Sequence, residues 1–118
     1  MDPQDHHHVA ARAAIERHHQ RGNYFLLPAS ALAEVMVGYA IVDPTSVERQ
    51  YGLITATFGS TRLIDDEVAL RAALLRAEHA SLRLPDALVL AVGIVEDADT
   101  IVTADKKWLR YSDRVELL

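Results

Sequence analysis

Three acidic residues far apart in the sequence form the pattern with the clearest chemical meaning: Glu34, Asp86 and Asp105. Each lies where a predicted strand gives way to a helix or a loop. In a parallel α/β fold, the carboxyl ends of the strands share one edge of the sheet, where such folds place their sites. Three carboxylates at that edge would form an oxygen-rich pocket suited to a hard divalent cation. The leading interpretation is therefore a metal-dependent hydrolase of phosphodiesters.

Two of the three acids lie in the segment 84–108. Asp86 follows Pro85 at the predicted start of an apolar helix, where the helix N-terminus stabilises a negative charge by a few tenths to about 1 kcal/mol. Asp105 follows the β-branched run 100–103, at the carboxyl end of a predicted strand. Taken singly, each has a structural alternative. Asp86 could be an ordinary N-terminal helix charge, and Asp105 could be a turn aspartate.

Glu34 stands in an apolar segment, between Ala33 and Val35. A lone carboxylate in apolar surroundings is costly unless it is paired or bound to a metal, which favours a functional role. Ser30 is the predicted N-cap of this helix. Glu34 comes four positions after it rather than three, so the two do not form a capping box. Ser30 and Thr103 are candidate supporting residues. Thr103 would orient a ligand or a water, or simply complete its strand.

Length and composition limit the class of protein. The chain has 118 residues, which predicts a single domain over 1–118, and half of them are hydrophobic. It contains no cysteine, which excludes disulfides, a thiolate metal site and a thiol nucleophile. The first residues lack the basic and apolar regions of a signal peptide, and no apolar run approaches the length of a membrane span. We therefore expect a soluble cytoplasmic protein with no membrane partner.

The formal net charge of −5 argues against a protein that coats nucleic acid by electrostatics alone. It is compatible with a nuclease whose acids are concentrated in one pocket, provided that a basic rim offsets them. The candidate rim residues flank the acids and are Arg83, Lys106, Lys107 and Arg110. Each has the alternative role of a solvated surface charge. Trp108 would stack a base or pack in the core, and packing is the favoured role.

Two other kinds of site have weak support. The histidine runs 6–8 and 18–19 suggest zinc, but neighbouring residues on a helix point in different directions and make a poor tetrahedral set. The phosphate-binding motifs GxGxxG and GxxxxGK are both absent from the sequence.

Helical and strand patterns alternate along the chain, which predicts an α/β fold with a largely parallel sheet. The segment 66–80 shows a leucine and alanine stripe, Leu70, Ala73, Leu74 and Ala77, that we expect to face the core. The predicted helices cover 6–21, 30–38, 45–58, 65–80 and a segment from Pro85, and the predicted strands cover 24–27, 61–64, 100–103 and 115–118.

Four segments in order resemble the PIN-domain family, and most closely the VapC-type toxins of bacterial toxin–antitoxin pairs. They are DPQDHHHVAA, LPASALAEVMVG around Glu34, LRLPDALVLAV around Asp86 and TIVTADKKWL around Asp105. The resemblance implies a three-layer fold with a short, mostly parallel sheet flanked by helices. It implies an endoribonuclease that uses Mg²⁺ or Mn²⁺, held by these three acids, to cut structured RNA such as tRNA or rRNA. It further implies a cognate antitoxin and a homodimer.

One departure from the family pattern concerns the first residues. PIN domains resembling this chain begin with a strand that ends in a first catalytic aspartate, and that strand lies between those predicted here at 24–27 and 100–103. Asp2 and Asp5 match the loop that follows it. We therefore expect the N-terminal strand and one metal ligand to be missing, through a wrong start, a truncation or a loss of activity.

Two alternatives to the nuclease stay open. The first is a catalytically impaired PIN scaffold that binds an antitoxin or RNA without cleaving, which the missing aspartate favours. The second is a receiver-like signalling domain, whose fold also gathers acids at strand ends. That fold requires an acidic pair after the first strand and a lysine after the last, and the sequence shows neither.

Overall fold

The computed structural model describes residues 3–118, with side chains from Val9 onward. The chain forms five α-helices and four short strands within this range. The helices are α1 (Pro3–Gln20), α2 (Ala29–Val42), α3 (Val47–Phe58), α4 (Asp66–Glu78) and α5 (Leu84–Val95); the strands are β1 (Leu27–Pro28), β2 (Thr61–Arg62), β3 (Ile101–Thr103) and β4 (Val115–Leu117). Two 3₁₀ helices, Pro44–Ser46 and Lys106–Arg110, precede α3 and follow β3.

The strands pair in two short sheets, and both pairings are parallel. β1 lies beside β2 with Leu27 opposite Thr61. β3 lies beside β4 with Ile101 opposite Val115. The prediction of an α/β fold with parallel strands is thus confirmed. β1 is shorter than predicted and begins only at Leu27, because the chain before it, at Tyr24, is fully exposed rather than part of a ladder.

The chain divides into two compact units. The central unit is Phe25–Asp97 and contains the β1–β2 sheet with helices α2 to α5. The terminal unit joins the described residues up to Tyr24 to Ala98–Leu118, and contains α1 with the β3–β4 sheet. A single domain over 1–118, without the N-terminal strand, stays a prediction. Among residues 3–118, no helix combines the length and the apolar character needed to cross a membrane.

The core of the central unit lies where α4 packs against α5. α4 contributes Val68, Ala72 and Leu75, which follow one another at helical spacing. α5 is more deeply buried, with Leu90 and its neighbour Ala91 fully inaccessible to solvent. Because α5 is apolar around most of its circumference, it is the element around which the unit is built.

The predicted core stripe of α4 is wrong. Leu70 is 68% exposed and Leu74 is 56% exposed, and Ala73 and Ala77 are exposed as well. Helix α4 carries apolar residues on two opposite sides, and periodicity alone does not tell which side faces the core. The buried side is the one with the β-branched Val68, whose spacing to Ala72 and Leu75 is also helical.

An arginine joins three elements of the central unit. Arg62, at the end of β2, donates to Glu96 just after α5, to Asp65 at 3.1 Å and to the carbonyl of Leu63 at 2.7 Å. Asp65 in turn caps α4, since its Oδ1 accepts from the N–H of Val68 at 3.1 Å. That N–H, together with Arg62, holds the pKa of Asp65 below its ordinary value. The cap fixes where α4 begins.

Candidate functional site

Glu34 lies on α2, a helix with no buried residue. Its side chain is exposed, so the desolvation cost expected from its apolar neighbours is not incurred, and that argument for a functional role was wrong. Its apolar neighbours, such as Val35 and Val37, are exposed with it. Within the side chains that the structure describes, the carboxylate has no hydrogen bond or ion pair. Its oxygens are therefore available to a ligand.

Ser30 does not cap α2, as had been expected. The N-cap is Pro28, and Ser30 is already inside the helix. Its hydroxyl is buried and has no hydrogen-bond partner among the described residues. Ser30 and Glu34 are four residues apart and so lie on the same side of the helix. A buried hydroxyl without a partner loses its hydration for no return, which makes it a natural acceptor for a water or a ligand.

Asp86 lies in the first turn of α5, which follows Arg83 and has Pro85 near its start. The side chain is half-buried and makes no hydrogen bond or ion pair with any side chain that the structure describes. The unpaired N–H groups of the helix start favour the ionised carboxylate here. Because α2 and α5 pack together, the elements that carry Glu34 and Asp86 are neighbours within the central unit.

Asp105 is held by the backbone on both sides, in the terminal unit. It caps the 3₁₀ helix Lys106–Arg110, with its Oδ1 accepting from the N–H of Lys107 at 2.9 Å. Its own N–H donates to the hydroxyl of Thr103 at 3.1 Å. Asp105 thus does act as a turn aspartate, and Thr103 fixes that turn. The second carboxylate oxygen of Asp105 remains exposed and uncommitted in the described structure.

The predicted site draws on both units, with Glu34 and Asp86 in the central one and Asp105 in the terminal one. Among the side chains from Val9 onward, no three acidic or histidine residues lie close enough to hold a metal ion. The donor chemistry nevertheless suits Mg²⁺ or Mn²⁺, since two carboxylates are unpaired and a third has a free oxygen. The joint site of Glu34, Asp86 and Asp105 stays a prediction.

The candidate rim residues are all exposed. Lys106, Lys107 and Arg110 lie on the 3₁₀ helix that Asp105 caps, and Arg83 lies at the start of α5. None of their side chains forms an ion pair with a described residue. Trp108, in the same 3₁₀ helix, is buried as its packing role requires. The helix thus pairs a buried anchor with outward-facing cations.

Sequence reasoning missed a polar cluster in the terminal unit. His18 is buried, and its Nδ1 accepts from the amide of Asn23 at 2.9 Å. Its Nε2 therefore carries the proton and donates to Glu116 of β4 at 3.0 Å. Arg17 donates to the other oxygen of Glu116. The cluster links residues nearly a hundred positions apart, and the sequence carries no signal for such a pairing. The side chains of His6, His7 and His8 lie outside the described residues.

The Glu116 cluster predicts a specific loss of stability in acid. Burial opposes the charged form of Glu116, but His18 and Arg17 outweigh it and lower its pKa. Because the pKa is lower in the folded state, the contribution of Glu116 is complete above about pH 4.3, the unfolded value. It is lost as the pH falls through the lower, folded value. We expect urea unfolding to show Glu116→Gln destabilised at pH 6 and closer to wild type near pH 3.5.

A matched control is Glu16→Gln in the same unit. Glu16 is exposed and makes no hydrogen bond or ion pair with a described side chain. We expect it to leave the pH dependence unchanged. A difference between wild type and Glu116→Gln that stays constant from pH 6 to pH 3.5 would contradict the charge-based account.

The chain belongs to the PIN-domain family, whose profile matches residues 4–114. Comparison with curated proteins and with solved structures gave no match. PIN domains are generally metal-dependent nucleases and typically use divalent ions. The family therefore indicates a nuclease that acts on RNA, and the mixture of helices with short parallel sheets agrees with its fold.

Proposed function

We propose that this protein is a metal-dependent endoribonuclease, the toxin of a type II toxin–antitoxin pair of the VapC type. It cuts structured RNA such as tRNA or rRNA in the cytoplasm and is held inactive by a cognate antitoxin. It acts as a homodimer. The observation that carries the proposal is the family match over residues 4–114, in a chain whose Glu34 and Asp86 carboxylates have no partner among the described side chains.

Glu34, Asp86 and Asp105 would hold Mg²⁺ or Mn²⁺ through carboxylate oxygens, the ligands that these hard cations prefer. Such an ion polarises a phosphodiester and lowers the pKa of a water that attacks it. Mg²⁺ usually keeps several waters and uses few protein ligands, so a set of three carboxylates is compatible with binding that tightens when substrate phosphate joins. The Ser30 hydroxyl, on the same side of α2 as Glu34, would accept or donate a hydrogen bond to one of those waters.

The exposed cations of the 3₁₀ helix support the same proposal. Lys106, Lys107 and Arg110 stand immediately after Asp105 and have no acidic partner in the described structure. Contacts of this kind bind phosphate without reading sequence. They would offset locally the net charge of −5, which otherwise repels an RNA backbone.

Cleavage of a structured RNA tests the proposal. Purified protein is incubated with a folded tRNA in Mg²⁺, in Mn²⁺, and in either metal with EDTA. We expect discrete cleavage products that disappear with EDTA and return when excess metal is added back. Cleavage that persists in EDTA would indicate a contaminating metal-independent ribonuclease and contradict the metal requirement.

The absence of cleavage in both metals would favour the second function, a PIN scaffold that binds without cutting. The observation on its side is that no three acids lie within metal-binding reach of one another among the described side chains. Under that function, a gel-shift or fluorescence-anisotropy assay would still detect RNA or antitoxin binding, with an affinity independent of metal.

A further inference from the structure

The apolar stripe on the outside of α4 has no partner in the described structure. Leu70, Ala73, Leu74 and Ala77 recur at helical spacing, and all four are exposed. At about 100° per residue, the stripe lies roughly opposite the buried side formed by Val68, Ala72 and Leu75. A monomer rarely leaves a continuous apolar stripe in water, because the same surface promotes association.

The stripe is complementary to itself when two copies of α4 lie antiparallel. A two-fold axis between positions 73 and 74 places Leu70 of one copy opposite Ala77 of the other. The same axis places Leu74 opposite Ala73. Each large side chain then faces a small one, which is the arrangement that lets two helices pack closely. A two-fold interface of this kind uses the same surface on both copies.

The charges beside the stripe favour the same arrangement. Arg71 and Glu78 lie on one flank of it, and in an antiparallel pair this flank faces itself. Arg71 of one copy is then displaced by only about 3 Å along the axis from Glu78 of the other, given a rise of 1.5 Å per residue. Flanking charges of this kind set the partner and the orientation of paired helices. Arg71 makes no ion pair with a described residue, and Glu78 contacts only the adjacent His79, at 4.0 Å.

We propose that the outer face of α4 is an antiparallel, two-fold interface between two copies of this chain, centred between Ala73 and Leu74. A charged peptide of single sign would match the flank poorly, because the flank presents both signs. α4 alone buries less than the roughly 1,600 Å² of a standard interface, so the association is concentration-dependent, micromolar or weaker. The interface does not depend on nuclease activity.

A charge exchange between the two flanking residues tests the interface by sedimentation equilibrium of the full chain. Arg71→Glu alone places like charges opposite each other twice in the dimer, and Glu78→Arg does the same. We expect each variant to weaken self-association by about tenfold or more. An equimolar mixture of the two should form a heterodimer, because both cross-pairs are then opposite in charge. The double variant should dimerise as the wild type does.

Substitution of the stripe provides the second arm. Leu74→Glu should yield a monomer at every concentration. Leu53→Glu, on α3, is the matched control, because Leu53 is 58% exposed and Leu74 56%. It should leave association unchanged. Circular dichroism of each variant separates loss of association from loss of fold. A wild-type chain that stays monomeric at high concentration would overturn the proposal, as would charge variants that fail to combine when mixed.

Discussion

Asp86→Asn is expected to lower the rate of metal-dependent RNA cleavage by on the order of 10²–10³-fold, the loss typical of removing one preorganised electrostatic group. Asparagine keeps the size and the helix position of the side chain, so the change removes charge from the proposed metal site. Because Asp86 has no hydrogen bond or ion pair among the described residues, no structural contact of its side chain is lost. Single-turnover cleavage of a folded tRNA measures the effect.

Asp66→Asn is the matched control for this variant. Asp66 also lies in the first turn of a helix, α4, and is exposed. Both substitutions remove a favourable helix-start charge, but only Asp86 belongs to the proposed site. Asp66→Asn should therefore cleave at the wild-type rate. Equal losses in both variants would assign the effect to helix stability, and wild-type activity in Asp86→Asn would exclude it from catalysis.

Leu90→Ala is expected to destabilise the fold by about 2–5 kcal/mol, with a fall in Tm of roughly 8–20 °C. Leu90 is fully buried, on the helix that packs against α4. Removal of its side chain takes away transfer free energy and leaves a cavity that neighbours such as Val68 fill only in part. Urea unfolding followed by circular dichroism measures the change in the free energy of unfolding.

The control is the same substitution at an exposed leucine within a helix. Leu53→Ala on α3 should change the free energy of unfolding by less than about 0.5 kcal/mol. Alanine also has the higher helix propensity. A similar, small effect at both positions would mean that α5 does not form the core of the central unit.

The catalytic candidates were predictable because their signal is local. Asp105 follows a β-branched run and Asp86 follows a proline at a helix start, and the structure places both at those element ends. Strand and helix types could likewise be predicted, since each rests on a few neighbouring residues. Strand lengths could not, because a ladder extends only as far as its partner strand allows.

The features that were mispredicted or missed depend on residues distant in sequence. Leu70 and Val68 belong to two stripes of α4 that are both apolar, and the packing of α5 decides which one is buried. The exposure of Glu34 likewise depends on what covers α2, not on its own neighbours. The pairing of His18 with Glu116 joins the two ends of the chain, and no local pattern encodes it.

The anchoring of Asp105 has a consequence for the strength of any ligand it binds. A free aspartate side chain loses rotational freedom when it captures a cation, and immobilising a side chain lowers affinity. In this protein, the N–H of Lys107 already restrains one carboxylate oxygen, and Thr103 restrains the backbone from the other side. Asp105 therefore enters complex formation with its torsions largely set and its other oxygen turned to solvent. Thr103→Val would restore some of that rotational freedom without altering a single charge.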